Sequence, residues 1–281
     1  MPSHPDEGER GVDRVRRRPE QLLLAFLGEL VLDRDVGPVP AAELVDVLTD
    51  LDVGAPATRA ALARMARRGL LEPVRSGRTV SYLLTAASER VLREAHGRIF
   101  ADDPFAPQGA GWTLVSFSMP ERQRDLRHRV RAQLAWAGFG LLRDGLWIAP
   151  GEVAVAEALG GLAADGDRLD LVAFRAVEVE GYSAARSVRT AWRLDEIRER
   201  HRVFQAQWVD VRPGSGGADG AVRDVTALVA DWLALLRAVP RLPAEHLDDD
   251  WPSATSVRLF RRLHGELAGP ARAELARRLA P

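Results

Sequence analysis

The segment ADDPFAPQGAG, residues 101–111, separates two periodicities that no single layer of secondary structure satisfies. Its proline and glycine content makes it a linker. Before it, apolar residues recur at helical spacing; after it, strand-like and helix-like runs alternate. A chain of 281 residues has room for two or three domains, and a hydrophobic share of 46% suffices for their cores.

Ahead of the linker, QLLLAFLGELVL (Gln21–Leu32) is apolar on nearly every side, which suits the central helix of a small helical domain. GPVP marks a turn. In Ala41–Leu51, the residues Leu44, Val45, Leu48 and Leu51 keep helical spacing. DVGAP breaks the chain again, and Pro56 suits the first turn of a third helix, which runs to Arg68 and stops at Gly69. LLEPVRSGRTVSYLL then reads as a hairpin turning at SGR, and Pro73 places its first strand at an edge. Thr85–Phe100 reads as a further helix. The basic residues before the first apolar run imitate a secretory leader, but Glu29 interrupts that run and DRD follows where small residues belong. No run approaches the ~20 apolar residues of a membrane span. The expectation is a buried helix in a cytoplasmic protein with no membrane partner.

After the linker, WTLVSFSM reads as a strand and PERQRDLRHRVRAQLAWAG as a helix opened by Pro120 and closed by Gly138. GLWIAP is a strand, EVAVAEALGGLA a helix and RLDLVAFRAVEV a strand. That order is the order of a ferredoxin-like α+β domain. From Ser183 onward the patterns are helical, broken at RPGSGGADG and LPAEHLDDDWPS. The expected architecture is therefore multidomain α+β. A mobile tail covers residues 1–18, a winged helix-turn-helix domain 19–101, a ferredoxin-like central domain 110–182 and a mainly helical C-terminal domain 183–281.

Charge singles out one stretch. Pro56–Thr85 holds six arginines against one acid, Glu72, in a chain whose formal charge is -1. On a helical wheel stepped by ~100°, Arg59, Ala63, Arg67, Ala60 and Arg64 fall between about 0° and 140°, opposite Thr58, Ala61, Leu62, Met65 and Ala66. Arginines separated by alanines let a backbone approach a surface closely, and the opposite arc packs. A third helix of this kind, followed by a basic hairpin, has the form of a winged helix-turn-helix whose recognition helix enters the major groove. Arg75 and Arg78 flank the wing turn, where phosphates would lie. The expected DNA-binding residues are Arg59, Ala60, Ala63, Arg64, Arg67, Arg68, Arg75 and Arg78, and the partner is a double-stranded DNA operator.

Other chemistries find little support. The 39 basic residues are all arginine, so Schiff-base and P-loop chemistry lack their lysine. Cysteine is absent, which removes disulfides, thiolate metal sites and cysteine nucleophiles. The histidines form no HxxxH or HExxH pair, and Asp248, Asp249 and Asp250 near His246 read as a solvated acidic loop. The first strand of the central domain ends in Ser118 and Met119, where a metal-dependent nuclease of similar fold needs a carboxylate. No GxSxG is present. The expectation is no enzyme, no metal and no cofactor. In SAARSVRTAWRLDEIRERHRVFQAQW, arginines suited to phosphates accompany Trp192, Phe204 and Trp208, which suit either an acyl pocket or a core.

The chain resembles the PaaX family of transcriptional repressors of phenylacetic acid degradation. The resemblance lies in LLLAFLGELVL, TRAALARMARRGLLE, WTLVSFSMPERQRDLRHRVRAQLAWAGFGLLRDGLWIAP, RTAWRLDEIRERHRVFQAQW, LPAEHLDDDWPS and LFRRLHGEL, in the family's order. It implies a winged helix, a ferredoxin-like middle domain, a helical C-terminal domain and a homodimer. It also implies a repressor released by an aromatic acyl-CoA effector such as phenylacetyl-CoA, with Arg189, Trp192, Arg193 and His201 as the effector-binding residues. The family usually shows tyrosine where this chain has His201. A different reading keeps the same fold as a protein-interaction scaffold or co-regulator with a degenerate winged helix. The stripe at Trp232, Leu233 and Leu236 reads either as dimer surface or as core.

Overall fold

The computed structural model describes residues 17–163, 170–212 and 220–280. Its elements begin with α1 (Pro19–Leu30), β1 (Val39–Pro40), α2 (Ala41–Thr49), α3 (Ala55–Arg67), β2 (Leu71–Ser76), β3 (Thr79–Leu84) and α4 (Ala86–Ile99). There follow β4 (Trp112–Phe117), α5 (Arg124–Trp136), β5 (Gly140–Arg143), β6 (Leu146–Pro150), α6 (Val155–Ala163) and β7 (Leu171–Ala176). The chain ends in α7 (Ala185–Ala191), α8 (Leu194–Trp208), α9 (Ala221–Ala238) and α10 (Ser253–Leu279). Two compact units result. One is drawn from Met1–Gly97, Gln205–Trp232 and Leu259–Pro281, the other from Arg98–Phe204 and Leu233–Arg258. Of the tail expected over 1–18, residues 1–16 lie outside the described residues, as does most of RPGSGGADG.

In the first unit, the apolar run read from sequence is a core helix: Leu22, Leu23, Phe26, Leu27 and Leu30 of α1 are all buried. Helices α2 and α3 pack Leu44, Leu48, Ala61, Leu62 and Met65 inward. A small antiparallel sheet of order β1-β3-β2 follows, with Pro73 on the edge strand β2. The two-residue strand β1 carries no pattern of its own; it exists because Val39 and Pro40 pair with Tyr82 and Ser81. Later parts of the chain complete this core. Trp232 of α9 stacks on Phe260 of α10 at 4.6 Å, and both are fully buried. Trp232 is thus core of this unit, and Leu233 and Leu236, which belong to the second unit, are buried as well.

Ion pairs of long sequence separation tie the same unit together. Asp231 accepts both Arg17 Nε and Nη2 at 2.8 Å, and also Gln207 and the Trp208 indole. Glu29, only 4% exposed, accepts His264 Nε2 at 2.9 Å and meets Arg272 at 3.4 Å. Burial alone would raise the Glu29 carboxyl, but the hydrogen bond and charge of His264, with those of Arg272, hold it below its ordinary value. Glu274 accepts the Val222 backbone N–H at 2.9 Å near the start of α9, a favourable end for a carboxylate. Arg278 joins Glu274 to Glu43 of α2.

The second unit holds a four-stranded antiparallel sheet of order β5-β6-β4-β7. With α5 and α6 in the connections, this is the strand order of a ferredoxin-like domain. Its core gathers Val115, Val130, Leu134, Phe139, Trp147 and Leu159. Sequence reading places a strand at GLWIAP, which is β6, and misses β5; the turn at Gly145, with φ 73, separates the two.

The hairpin β2–β3 turns at Gly77–Arg78, between the paired residues Ser76 and Thr79. Gly77 has φ 59 and Arg78 does not share the left-handed conformation, the pattern of a type II′ turn. A Cβ on Gly77 would meet nothing within 4 Å, so the penalty there is conformational rather than steric. Gly77→Ala is expected to cost about 1–2 kcal/mol, read as a lower unfolding midpoint with an unchanged circular dichroism spectrum.

Candidate functional site

Helix α3 starts after Gly54, with Pro56 in its first turn and no side-chain cap. It ends in a tight reversal: Gly69, at φ 70, donates to Ala66 O and Leu70 donates to Met65 O. Thr85 Oγ1 then donates to Gly69 O at 2.7 Å, while Thr85 and Ser88 exchange hydrogen bonds at the start of α4. The end of α3 and the base of the hairpin are therefore held to one point.

Thr58, Ala61, Leu62 and Met65 are the buried residues of α3, as the wheel predicts. Arg59, Ala60, Ala63, Arg64 and Arg67 are exposed, and so are Arg68 and the hairpin residues Arg75 and Arg78. Arg68 differs from the rest: its Nη1 lies 2.5 Å from Glu20 Oε1, so part of its charge is already answered. Among the described residues, Arg59, Arg64, Arg67, Arg75 and Arg78 form no ion pair. Elsewhere in the same unit Arg17, Arg93 and Arg278 bind carboxylates. Five unanswered guanidinium groups thus share a helix face and the hairpin beyond it. Such a face suits a polyanion.

The four residues expected at the effector do not converge. Trp192 is buried, and with Arg193 it borders a cavity of about 660 Å³ in the second unit. Arg193 itself pairs with Glu196 at 2.7 Å. Arg189 borders a separate shallow recess with Tyr182 and lies 3.6 Å from Asp248. His201 borders neither; it is wholly buried, edge-on to Phe105, with Nδ1 3.0 Å from Ser256 Oγ. Burial pushes the His201 imidazole down to about 4, so it is neutral at pH 7 and offers an anion no charge. Phe204 and Trp208 are buried too, as core.

A second cavity of this unit, of about 800 Å³, is lined by Phe105, Trp112 and Trp251 together with Asp103, Glu178 and Asp249. His246 stacks on Trp112 and lies 2.8 Å from Glu178. Its carboxylates repel anions, so size does not make it the anion site. Asp248 and Asp250 of the acidic loop serve as counter-ions to Arg198, at 2.7 and 3.0 Å. Among the described residues, no group of three His, Asp or Glu is placed to hold a metal ion, and no helix is long and apolar enough to cross a membrane.

The cavity that Trp192 borders carries a signal that sequence reading missed. Arg98, Arg200, Arg237 and Arg241 reach it from four stretches of chain. Arg200 belongs to the arginine-rich segment that sequence reading set beside Trp192, but nothing local marks Arg98, Arg237 or Arg241, because α4, α8, α9 and the turn after α9 bring them together only in the folded unit.

Comparison with known proteins covers nearly the whole chain. Residues 18–88 match the family described as PaaX-like protein, residues 106–188 the PaaX protein central Cas2-like domain, and residues 192–277 the PaaX-like protein C-terminal domain. The chain is 26% identical over 275 residues to the transcriptional repressor PaaX of Escherichia coli (strain K12), spanning 94% of this chain and 84% of that one. In fold it is similar to the solved structure of an uncharacterised protein from Mycobacterium tuberculosis, with TM-score 0.56 and 22% identity over 92% of this chain and 99% of that chain.

Proposed function

The chain belongs to the PaaX family, a family of transcriptional regulators, and we propose that it is a cytoplasmic repressor that reads operator DNA as a homodimer. In this reading residues 19–101 are a winged helix-turn-helix, α3 enters the major groove, and the β2–β3 hairpin follows the phosphates. The central and C-terminal domains take residues 110–182 and 183–281. The observation that carries the reading is the set of five arginines on α3 and the hairpin with no acidic partner among the described residues. Arg59 lies nearest the start of α3 and is the best single candidate for a base edge. An aromatic acyl-CoA releases the repressor by favouring the arrangement that does not bind DNA. No catalytic role is assigned to any residue.

Salt titration tests the reading. Each phosphate neutralised contributes about -0.9 to the slope of log K against log salt. Five arginines per chain therefore predict a slope of about -4.5 for one chain and about -9 for a dimer on a palindromic site. Fluorescence anisotropy of the purified protein on its own upstream DNA supplies the measurement. Phenylacetyl-CoA at saturation is expected to lower the affinity ~100-fold, which corresponds to about 2.7 kcal/mol of coupling. A slope near zero contradicts DNA reading by this face.

A further inference from the structure

We infer that the cavity bordered by Arg98, Arg200, Arg237 and Arg241 is a binding site for a polyphosphorylated organic anion with a flat ring, of the kind that the 3′-phosphoadenosine diphosphate end of a CoA thioester presents. The choice of a thioester rests on the repressor reading; the anion site rests on the arginines alone.

None of the four has an ion-pair partner among the described residues. The acids at the rim are committed to other arginines, Glu152 to Arg175 at 2.8 Å and Glu196 to Arg193, a fifth arginine of the cavity, at 2.7 Å. Arg98 is half-buried; its Nη2 donates to the Leu236 carbonyl, and its Nε has no partner. Loss of surrounding water, and then the charges of Arg241 and Arg237, push the Arg98 guanidinium down to about 10. Loss of water also lowers Arg237 and Arg241, although much of the Arg237 side chain stays exposed. The cavity thus gathers four guanidinium groups with no ion-pair partner among the described residues.

Helix ends are the plain alternative. Arg98 stands at the C-terminal end of α4 and Arg237 in the last turn of α9, where carbonyls favour cations. Two helix ends supply roughly half a negative charge each, against four guanidinium groups. The excess is what a bidentate phosphate ligand satisfies. The same cavity also offers a flat apolar wall. Trp136 is 75% exposed, an unusual position for a tryptophan with no packing role, and it lines the cavity with Trp192 and Pro240. An exposed indole beside arginines is a stacking platform for a purine ring.

Calorimetric titration of the full chain with 3′-phosphoadenosine 5′-diphosphate, and separately with phenylacetyl-CoA, tests the site. Both probes are expected to bind, more weakly at high salt, and to raise the unfolding midpoint. The double variant R98Q/R241Q is expected to weaken both at least ~30-fold, and the more exposed R237Q ~10-fold. R122Q, exposed and outside the cavity, leaves both unchanged. Because R237Q removes an exposed arginine that holds no ion pair among the described residues, it is expected to melt like the parent unliganded, which separates ligand loss from misfolding. Absence of binding by both probes, or equal affinity in R98Q/R241Q, overturns the site. Binding of both probes with no effect on DNA affinity supports the site and removes the acyl-CoA from the repressor reading.

Discussion

Replacing Arg64 and Arg67 together with alanine is expected to lower affinity for the chain's own upstream DNA by about three orders of magnitude, roughly 4 kcal/mol, from two contacts worth about 1–3 kcal/mol each. Both side chains are exposed, so the core of the first unit keeps Ala61, Leu62 and Met65 unchanged. Alanine is the better helix former, so α3 itself does not weaken. The double variant is therefore expected to melt like the parent while its salt slope falls by about 2 per chain. Arg68 supplies the contrast. It already meets Glu20, and Arg68→Ala is expected to cost well under 1 kcal/mol of DNA affinity, since only part of its charge is free to meet a phosphate. Normal DNA binding by R64A/R67A, measured by anisotropy, contradicts the assignment of α3 as the reading helix.

The second large effect concerns stability. Glu29→Ala is expected to destabilise the protein by about 3 kcal/mol, the lower end of what removing one partner from a buried ion pair costs. The lower end applies because Arg272 is 44% exposed and therefore screened, whereas Glu29 itself is nearly closed off. For a unit of this size the unfolding midpoint should drop by roughly 6–12 °C. The sign of the pH dependence follows from the depressed Glu29 carboxyl. Its contribution is complete above the unfolded value of 4.5 and disappears as pH falls through the lower folded value. Glu29→Gln is thus expected to melt with a shallower acid dependence below about pH 4.5 than the parent. A parallel pair of melting curves over that range, measured by circular dichroism, counts against the pair with His264. The arginines of α3 are untouched, so at low temperature DNA affinity stays near that of the parent.

Local patterns in the sequence carry what local patterns determine. The two arcs of α3 are legible because a period of 3.6 residues sorts Leu62 and Met65 from Arg64 and Arg67 without help from the rest of the chain. The hairpin is legible because Gly77 supplies a conformation that other residues resist. Strand β5 is not: Gly140–Arg143 is too short to alternate, and it owes its form to pairing with β6. The effector residues scatter for a related reason. Arg189, Trp192, Arg193 and His201 are close in sequence, yet α7 ends at Ala191 and α8 begins at Leu194, so only Trp192 and Arg193 border one cavity while Arg189 and His201 face other surroundings. The arginines that do converge come from positions 98, 200, 237 and 241, and apart from the last two, four residues apart, no spacing connects them.

The closing bonds of the first unit also govern when the protein can become functional during its synthesis. Glu29 and Glu43 each wait for a partner 235 residues later, His264 and Arg278. Translation at about 5–20 residues per second leaves a gap of roughly 10–40 s between the emergence of the hairpin and that of α10. Through that interval the nascent helices carry a buried-type carboxylate and an uncovered apolar face. A ribosome that stops early releases every arginine of α3 and the hairpin on a scaffold whose core has not closed. The codons of α10 thus act as the quality check on a surface encoded long before them in the message.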